Sequence, residues 1–392
     1  TKWGASFQDQ IRKQYKVRSI IKSGNGRWFG NAKVVTTILV LEKKDARPSA
    51  SINFVTTKRN LTDWDEPYFN EIKAAALMAV GTSEVEVNPV PDADLDNLRD
   101  NGFYWRVNFF GSKALEHLLP STVRLTSYFA IGRGARTGQD DFYYPEKAAL
   151  ESIEKEYLVP FVKNSKELPN LMIESQNFAF SCDKSLEQLA QLGHTGALSW
   201  IRKFENRVNG KGENLVSVLE KQHQPWYYLS PKETGDFAMA MNPFESLAVY
   251  RAAEPVFMNQ RLIKLNLLRG NPELIHALLN SAFGMLALEF LGFGRGEGVL
   301  DLRNDSVKDD MRMLDPAKVP LGKISGIVDA FKPLTQRPVL AVHRELERQD
   351  RINFERCVLD AYGLGSHLAD LIELLKSGIE ERINASARSQ KP

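Results

Sequence analysis

Arg27-Trp28-Phe29-Gly30-Asn31-Ala32-Lys33 runs into Val34-Val35-Thr36-Thr37-Ile38-Leu39-Val40-Leu41-Glu42-Lys43-Lys44. An aromatic pair sits on a turn, and an almost unbroken β-branched and aliphatic run follows, which is the pattern of a strand buried on both faces. Working backwards, Val17-Arg18-Ser19-Ile20-Ile21 reads as a strand whose partner is the run from Val34 to Leu41, with Ser23-Gly24-Asn25-Gly26 turning the chain between them. Phe7, Ile11 and Tyr15 recur before it at helical spacing. The turn glycines precede a strand and not a helix, so no helix N-terminus is offered to a phosphate and a dinucleotide loop is not expected there. Glu42-x-Lys44 ends a strand as in some nucleases, but its only acidic predecessor is Asp9 on the first helix, which argues against a nuclease site.

Composition narrows the function classes. A chain of 392 residues with 43% hydrophobic content has material for two or three cores, and nothing in it suggests disorder. Cys182 and Cys357 stand far apart without a CxxC, so neither a disulfide framework nor a zinc ribbon is implied, and a reducing, cytoplasmic setting fits. The six histidines do not cluster with Cys or acidic residues at metal-ligand spacing, and no metal is expected. The most apolar stretch, Leu274 to Leu291, is broken by Asn280, Ser281, Gly284 and Glu289 and reads as a buried helix, not a membrane span. The net charge of +2 excludes a uniformly basic nucleic-acid binder but leaves room for a basic cleft on a neutral body. Charge is uneven: up to Lys44 the bases Lys2, Arg12, Lys13, Lys16, Arg18, Lys22, Arg27, Lys33, Lys43 and Lys44 face only Asp9 and Glu42. Such a segment is either a solvated face or a phosphate-facing surface.

Further along, Asp45 to Pro48 marks a break, Ile52 to Val55 a short strand, Glu66 to Val80 a helix and Glu84 to Val90 an extended segment. In Ile131-Gly132-Arg133-Gly134-Ala135-Arg136-Thr137-Gly138-Gln139, three glycines allow a close backbone approach to a partner and two arginines supply forked donors suited to phosphate or guanine. The aromatics Phe142, Tyr143 and Tyr144 are expected to anchor the next strand. Its bland reading is a glycine-rich hairpin with exposed arginines. Pro225-Trp226-Tyr227-Tyr228-Leu229 reads as a core element, and Asn271-Pro272-Glu273 as a helix cap with Pro at the first helical position. That helix is expected to continue to Phe290. It leads into Gly292-Phe293-Gly294-Arg295-Gly296-Glu297-Gly298, where glycines around Arg295 suit either a DNA-facing loop or a structural helix exit. The end is helical, with a Gly363-Leu364-Gly365 stop and Ser366 expected to cap the last helix.

Four of these segments, in order, resemble adenine-specific DNA methyltransferases of the Taq type (the gamma class), including their fusions to restriction nucleases. The Trp28-Phe29 turn and the strand after it resemble the last catalytic-domain motif. Ile131 to Tyr144 is similar to the Gly-x-x-Thr-Gly segment that opens the family's target-recognition domain, Trp226-Tyr227 to its Trp-Tyr strand, and Leu278-Leu279-Asn280-Ser281 to its Leu-Leu-Asn-Ser helix. In the region of Asn259-Gln260-Arg261 the family often carries exposed polar residues. The resemblance implies an α+β chain: the residual edge of a methyltransferase α/β sheet (residues 1–45), a connecting region (46–120), a target-recognition domain (121–315) and a C-terminal helical region (316–392). It implies that Phe29 stacks on an adenine flipped out of the duplex and that Trp28 supports it; Phe29 as a core plug beneath the hairpin is the alternative. It points to Lys33, Arg133, Arg136, Thr137, Gly138, Gln139, Asn259, Arg261 and Arg295 as DNA contacts. The family's cofactor loop and Asn-Pro-Pro-Tyr tetrapeptide have no counterpart, since Asn88-Pro89, Asn242-Pro243 and Asn271-Pro272 lack the second proline and the aromatic. The chain also starts at Thr1-Lys2-Trp3 without an initiator methionine. The expectation is therefore a piece of a larger enzyme that binds double-stranded DNA, with S-adenosylmethionine held by a catalytic region outside this chain and none bound to the chain alone. A non-catalytic DNA-binding or protein-interaction scaffold of a phage-defence complex is the rival class.

Overall fold

The computed structural model describes residues 2–26, 28–29, 36–43, 51–111, 113–208, 212–219, 224–230, 233–294 and 298–387. It divides into two compact units, one of residues 1–129, 241–248 and 269–392 and the other of 130–240 and 249–268. The architecture is α+β, with strands in several separate sheets.

The first unit begins with helix α1 (Lys2–Gln14), strands β1 (Tyr15–Ser23), β2 (Thr37–Lys43) and β3 (Ser51–Thr57), helix α2 (Glu66–Met78), strand β4 (Val85–Pro91) and helix α3 (Asp92–Asp100). The four strands form one sheet in the order β2-β1-β3-β4. β1 and β2 are antiparallel, with Val17 opposite Leu41 and Lys22 opposite Thr37, whereas β1 and β3 are parallel, with Ile20 opposite Phe54. The segment read as a connecting region thus supplies two of the sheet's strands.

One face packs Ile21, Val55 and Val85 under Tyr68, Ile72, Ala75 and Ala76 of α2, and the other buries Val17, Ile20, Ile52, Phe54 and Val90 with Leu95 of α3. Asp65 starts α2 by accepting from the Tyr68 amide, with Pro67 in the first turn where its missing N–H is harmless. β2 is not buried on both faces as its composition suggests: among the described strands it ends the sheet with β1 alone beside it, and Ile38 is 39% exposed. Several of the bases early in the chain are paired internally. Arg12 bonds Asp92 and Asp96 at 3.0 and 2.7 Å, Arg18 meets Glu42 at 3.1 Å, and Lys22 is buried against Glu381.

The second unit contains β5 (Phe129–Arg133), the helical turn α4 (Asp140–Tyr143), strands β6 (Leu158–Val162), β7 (Met172–Ile173) and β8 (Phe178–Phe180), helix α5 (Thr195–Glu205), and strands β9 (Thr234–Ala240), β10 (Val249–Met258) and β11 (Leu262–Leu267). The sheet runs β5-β11-β9-β10-β6-β8, with β7 on β10. Phe142 and Tyr143 stand on the helical turn α4 and not on a strand, in a core with Phe180 of β8, Trp200, Phe204, Trp226 and Tyr227. Trp226 and Tyr227 are buried as expected, but on a turn, and only Tyr228 makes a bridge, to Cys182. The segment 121–315 read as one recognition domain is shared between the two units.

The first unit resumes with α6 (Pro272–Leu279), α7 (Ala282–Leu291), β12 (Phe293–Gly294), β13 (Leu300–Asp301), α8 (Gln349–Ala361) and α9 (Leu368–Ala387). Asn271 caps α6 by accepting from the Leu274 amide at 2.8 Å. The helix does not continue to Phe290: it breaks at Asn280-Ser281 and bends by 59°, because the Ser281 hydroxyl starts a new helix by accepting from Gly284. The break is held from α8, where Arg351 donates to the Asn280 carbonyl at 2.7 Å and Glu355 accepts from the Ala282 amide at 2.8 Å. No single described helix is long and apolar enough to cross a membrane, and this bent pair is buried within the unit from Leu274 to Phe290. Ser366 lies inside a short 3-10 turn leading into α9 rather than just outside the helix as its cap.

Candidate nucleic-acid interface

In the second unit the two polar segments singled out by sequence, 132–139 and 259–261, lie against each other. Ala135 and Asn259 form a parallel bridge. The Gly134 amide donates to the Leu262 carbonyl at 3.0 Å, the Ala135 amide to Met258 at 2.8 Å, and the Gln260 amide to Ala135 at 2.9 Å. Gly134 is what permits this: a Cβ there would fall 2.2 Å from the Asn259 carbonyl oxygen. Its freedom serves approach to the chain's own backbone. Gly138 adopts a φ of 78°, where an L side chain is strained, and turns the chain toward α4.

Asn259 is buried, contrary to the exposed polar position expected, and acts as a tie within the loop pair. Its Nδ2 donates to the Tyr144 hydroxyl at 2.7 Å and its Oδ1 accepts from the Arg261 amide at 3.2 Å. Burial raises the Tyr144 hydroxyl pKa, and the hydrogen bonds with Asn259 and Thr137 pull against it without prevailing. The ring stacks on Phe161 with centroids 4.1 Å apart. Thr137 is likewise buried and belongs to the base of the loop. What faces outward is cationic: Arg133, Arg136 and Arg261 are exposed, with Gln139 half-buried between the loop and α4. The Nε of Arg133 donates to the Gln260 carbonyl at 2.8 Å, fixing the plane of its guanidinium. Among the described residues the guanidinium groups of Arg136 and Arg261 have no hydrogen bond or ion pair, and both side chains are exposed.

A second feature of this unit carries no motif. A cleft of about 890 Å³ is lined by Tyr144, Trp200, Phe204, Lys203 and Arg207 with Asp141, Glu146 and Glu154. Lys203 and Arg207 lie over the Trp200 and Phe204 rings at 5.0 and 4.3 Å. Three carboxylates among these side chains leave no net positive charge for a phosphate.

In the first unit Phe29 is 47% exposed, so it is not the core plug of the alternative reading. Trp28 packs against the α2 face of the sheet and meets Trp64 edge-on at 5.8 Å, with Trp64 in turn edge-on to Tyr68. The pair is thus split: one ring is built in and its neighbour projects. Lys33 and Arg295 lie outside the described residues. The glycine turn after β1 is closed on its own sheet, since a Cβ on Gly24 would meet Thr56 Cγ2 at 2.6 Å and the Gly24 amide already donates to Thr57. Among the described residues no group of three or more His, Cys, Asp or Glu could hold a metal ion.

The chain is similar in fold to the type IIG restriction endonuclease BpuSI, with a TM-score of 0.52 and 14% sequence identity over 98% of this chain and 46% of that one. The chain therefore spans less than half the length of the enzyme it matches. By sequence, no protein-family model and no curated protein matches it.

Sequence reasoning missed a cluster in the first unit that has no local signature. Glu289 on α7, fully buried, is paired with Arg106 at 2.8 Å and with Arg382 of α9 at 2.9 Å. The adjacent Glu381 takes Lys22 and, at 3.4 Å, Arg106. Burial lowers the Lys22 pKa despite Glu381, and the ammonium also lies over the Phe109 and Phe110 rings.

Proposed function

We propose that this chain is the DNA target-recognition part of a site-specific, S-adenosylmethionine-dependent adenine methyltransferase of a restriction-modification enzyme, whose catalytic region lies outside this chain. The observation that carries the reading is the fold likeness, which takes in 98% of this chain and 46% of a restriction endonuclease. Two features of the surface agree with it. Arg133, Arg136 and Arg261 form an outward cationic rim on a loop pair stiffened by Asn259, suited to phosphate oxygens and guanine edges. Phe29 offers an uncovered ring beside a packed tryptophan, the disposition needed to receive an extruded base. In this reading the chain holds and orients DNA, and the methyl donor sits on the absent region.

The test is binding of the purified chain to duplex DNA. A sequence enriched by the chain from a random pool should bind more tightly than an unrelated duplex, and log affinity should fall with log salt by about 0.9 for each phosphate contact. Absence of binding to every duplex at low salt would overturn the proposal, and equal, salt-dependent binding to all of them would reduce it to a non-specific DNA-binding module.

A further inference from the structure

The β12–β13 hairpin holds a large aromatic ring out in solvent. Phe293 is 62% exposed, and Phe244, 43% exposed, belongs to the neighbouring segment 241–248. That segment runs along β13, since the Leu300 amide donates to Pro243 at 2.9 Å and the Leu302 amide to Met241 at 2.8 Å. Phe293 is nonetheless firmly placed. It pairs with Asp301 while Gly294 pairs with Leu300. The buried Arg382 donates to the carbonyls of Gly298 and Phe244, tying the hairpin to the segment beside it, and is itself fixed by both oxygens of Glu289 at 3.0 Å.

The surroundings of the ring indicate what would cover it. Gly292 and Gly294 on either side serve the hairpin's own packing, since a Cβ would lie 2.8 Å from Leu300 Cδ2 at the first and 3.7 Å from Arg382 Cγ at the second, so Phe293 is the side chain of this strand that faces outward. Asp301, directly opposite, shares its face of the hairpin. The Asn242 amide lies 3.5 Å from the Asp301 carboxylate, and Arg303, two residues on, is exposed. A π-face, a carboxylate acceptor, an amide and a nearby cation match the face, exocyclic amine, ring edge and phosphate of a nucleotide. Placement agrees: Glu381, next to Arg382 on α9, holds Lys22 at the end of β1, from which the chain turns toward Phe29. One stretch of α9 therefore anchors both the strand that leads to Phe29 and the hairpin bearing Phe293.

We propose that Phe293 is a second base-contacting aromatic of this chain, stacking on a DNA base at an opened or kinked step, with Asp301 and Asn242 toward the base edge. The proposal rests on the reading of the chain as a DNA-recognition module. It is tested with the whole chain and a fluorescein-labelled duplex of the sequence selected from the random pool. Phe293→Ala should weaken binding about 5- to 150-fold, the range of one base–aromatic stack. Phe293→Trp should keep the affinity, and its added indole emission should be quenched on DNA. Phe69→Ala, which removes another exposed ring, 56% exposed on α2, should leave affinity unchanged. If the parent chain binds but Phe293→Ala binds equally well, the Phe293 role is overturned and DNA recognition stands. Unquenched emission from bound Phe293→Trp overturns stacking. If the parent chain binds no duplex, the functional reading falls, and this one with it.

Discussion

Asn259 and Tyr144 are joined by a 2.7 Å hydrogen bond from the buried side-chain amide to the phenol oxygen, 115 residues apart in sequence. The bond links the turn after β10 to the chain leaving the glycine-rich loop, so a residue expected to face DNA instead fixes the elements that carry the arginines.

Asn259→Ala should therefore act on stability before it acts on recognition. It strips the half-buried Tyr144 hydroxyl of its donor, which costs about 0.5–1.5 kcal/mol. Urea unfolding followed by tryptophan emission measures the loss. An unchanged unfolding midpoint together with lost DNA affinity would move Asn259 back to a direct base contact.

Gly134→Ala probes the same joint from the other side. The new Cβ would fall 2.2 Å from the Asn259 carbonyl oxygen, and that atom belongs to backbone that cannot rotate aside. Overpacking of this kind costs about 1–3 kcal/mol, and the loop pair should separate. Faster amide hydrogen exchange at Ala135 and Gln260, whose N–H groups bond across the joint, is the specific sign. Protection equal to the parent's would show that the joint yields without opening.

The C-terminal helices make an acid-sensitive element. Burial alone would raise the Glu345 carboxyl, but hydrogen bonds from Arg337 at 2.7 Å and the charge of Arg351 prevail and hold its pKa below the ordinary range. Asp350 is held down in the same way by Arg337 and Arg348, whereas burial raises Glu355 beside Arg351. A depressed folded pKa gives stability that is complete above the unfolded carboxylate value of about 4 and fades as pH falls through the folded one. Glu355 has the opposite sign and gains by protonation. Glu345→Gln should destabilise by about 3–5 kcal/mol at neutral pH, because two arginines lose their buried partner. The gap to the parent should shrink as pH drops below about 4. A gap independent of pH would assign the loss to packing.

Local pattern made much of this fold legible. The β1–β2 hairpin, the helical span of α2 and the Asn271-Pro272 helix start follow from periodicity and capping chemistry between residues close in sequence. The burial of β2 was overread, because a run of aliphatics does not say whether a strand has one neighbour or two. The break at Ser281 was missed because its determinants, Arg351 and Glu355, lie 71 and 73 residues from the atoms they bind. At the candidate site, the cationic type of the 133–139 loop could be read in advance. Which of its residues point inward could not, since the inward direction of Asn259 depends on Tyr144. The cluster of Lys22, Arg106, Glu289, Glu381 and Arg382 gave no signal at all: charged residues scattered along a sequence look solvated until folding brings them together.

That difference in fixation divides the three exposed arginines. Arg133 is oriented by its 2.8 Å bond to the Gln260 carbonyl, so its terminal nitrogens approach a partner in a set plane, as bidentate reading of guanine requires. Arg136 and Arg261 have no such restraint among the described residues and suit phosphate, which needs charge more than orientation. Arg133→Ala should narrow the gap between selected and unrelated duplex by about 1–3 kcal/mol. Arg136→Ala and Arg261→Ala should each weaken both duplexes alike and reduce the salt slope by about 0.9. Titrating the three variants against both duplexes over a salt series distinguishes the roles. If Arg133→Ala shows only a shallower slope, the loop pair is a phosphate clamp throughout and base reading lies elsewhere; if none of the three changes affinity, this rim does not meet DNA.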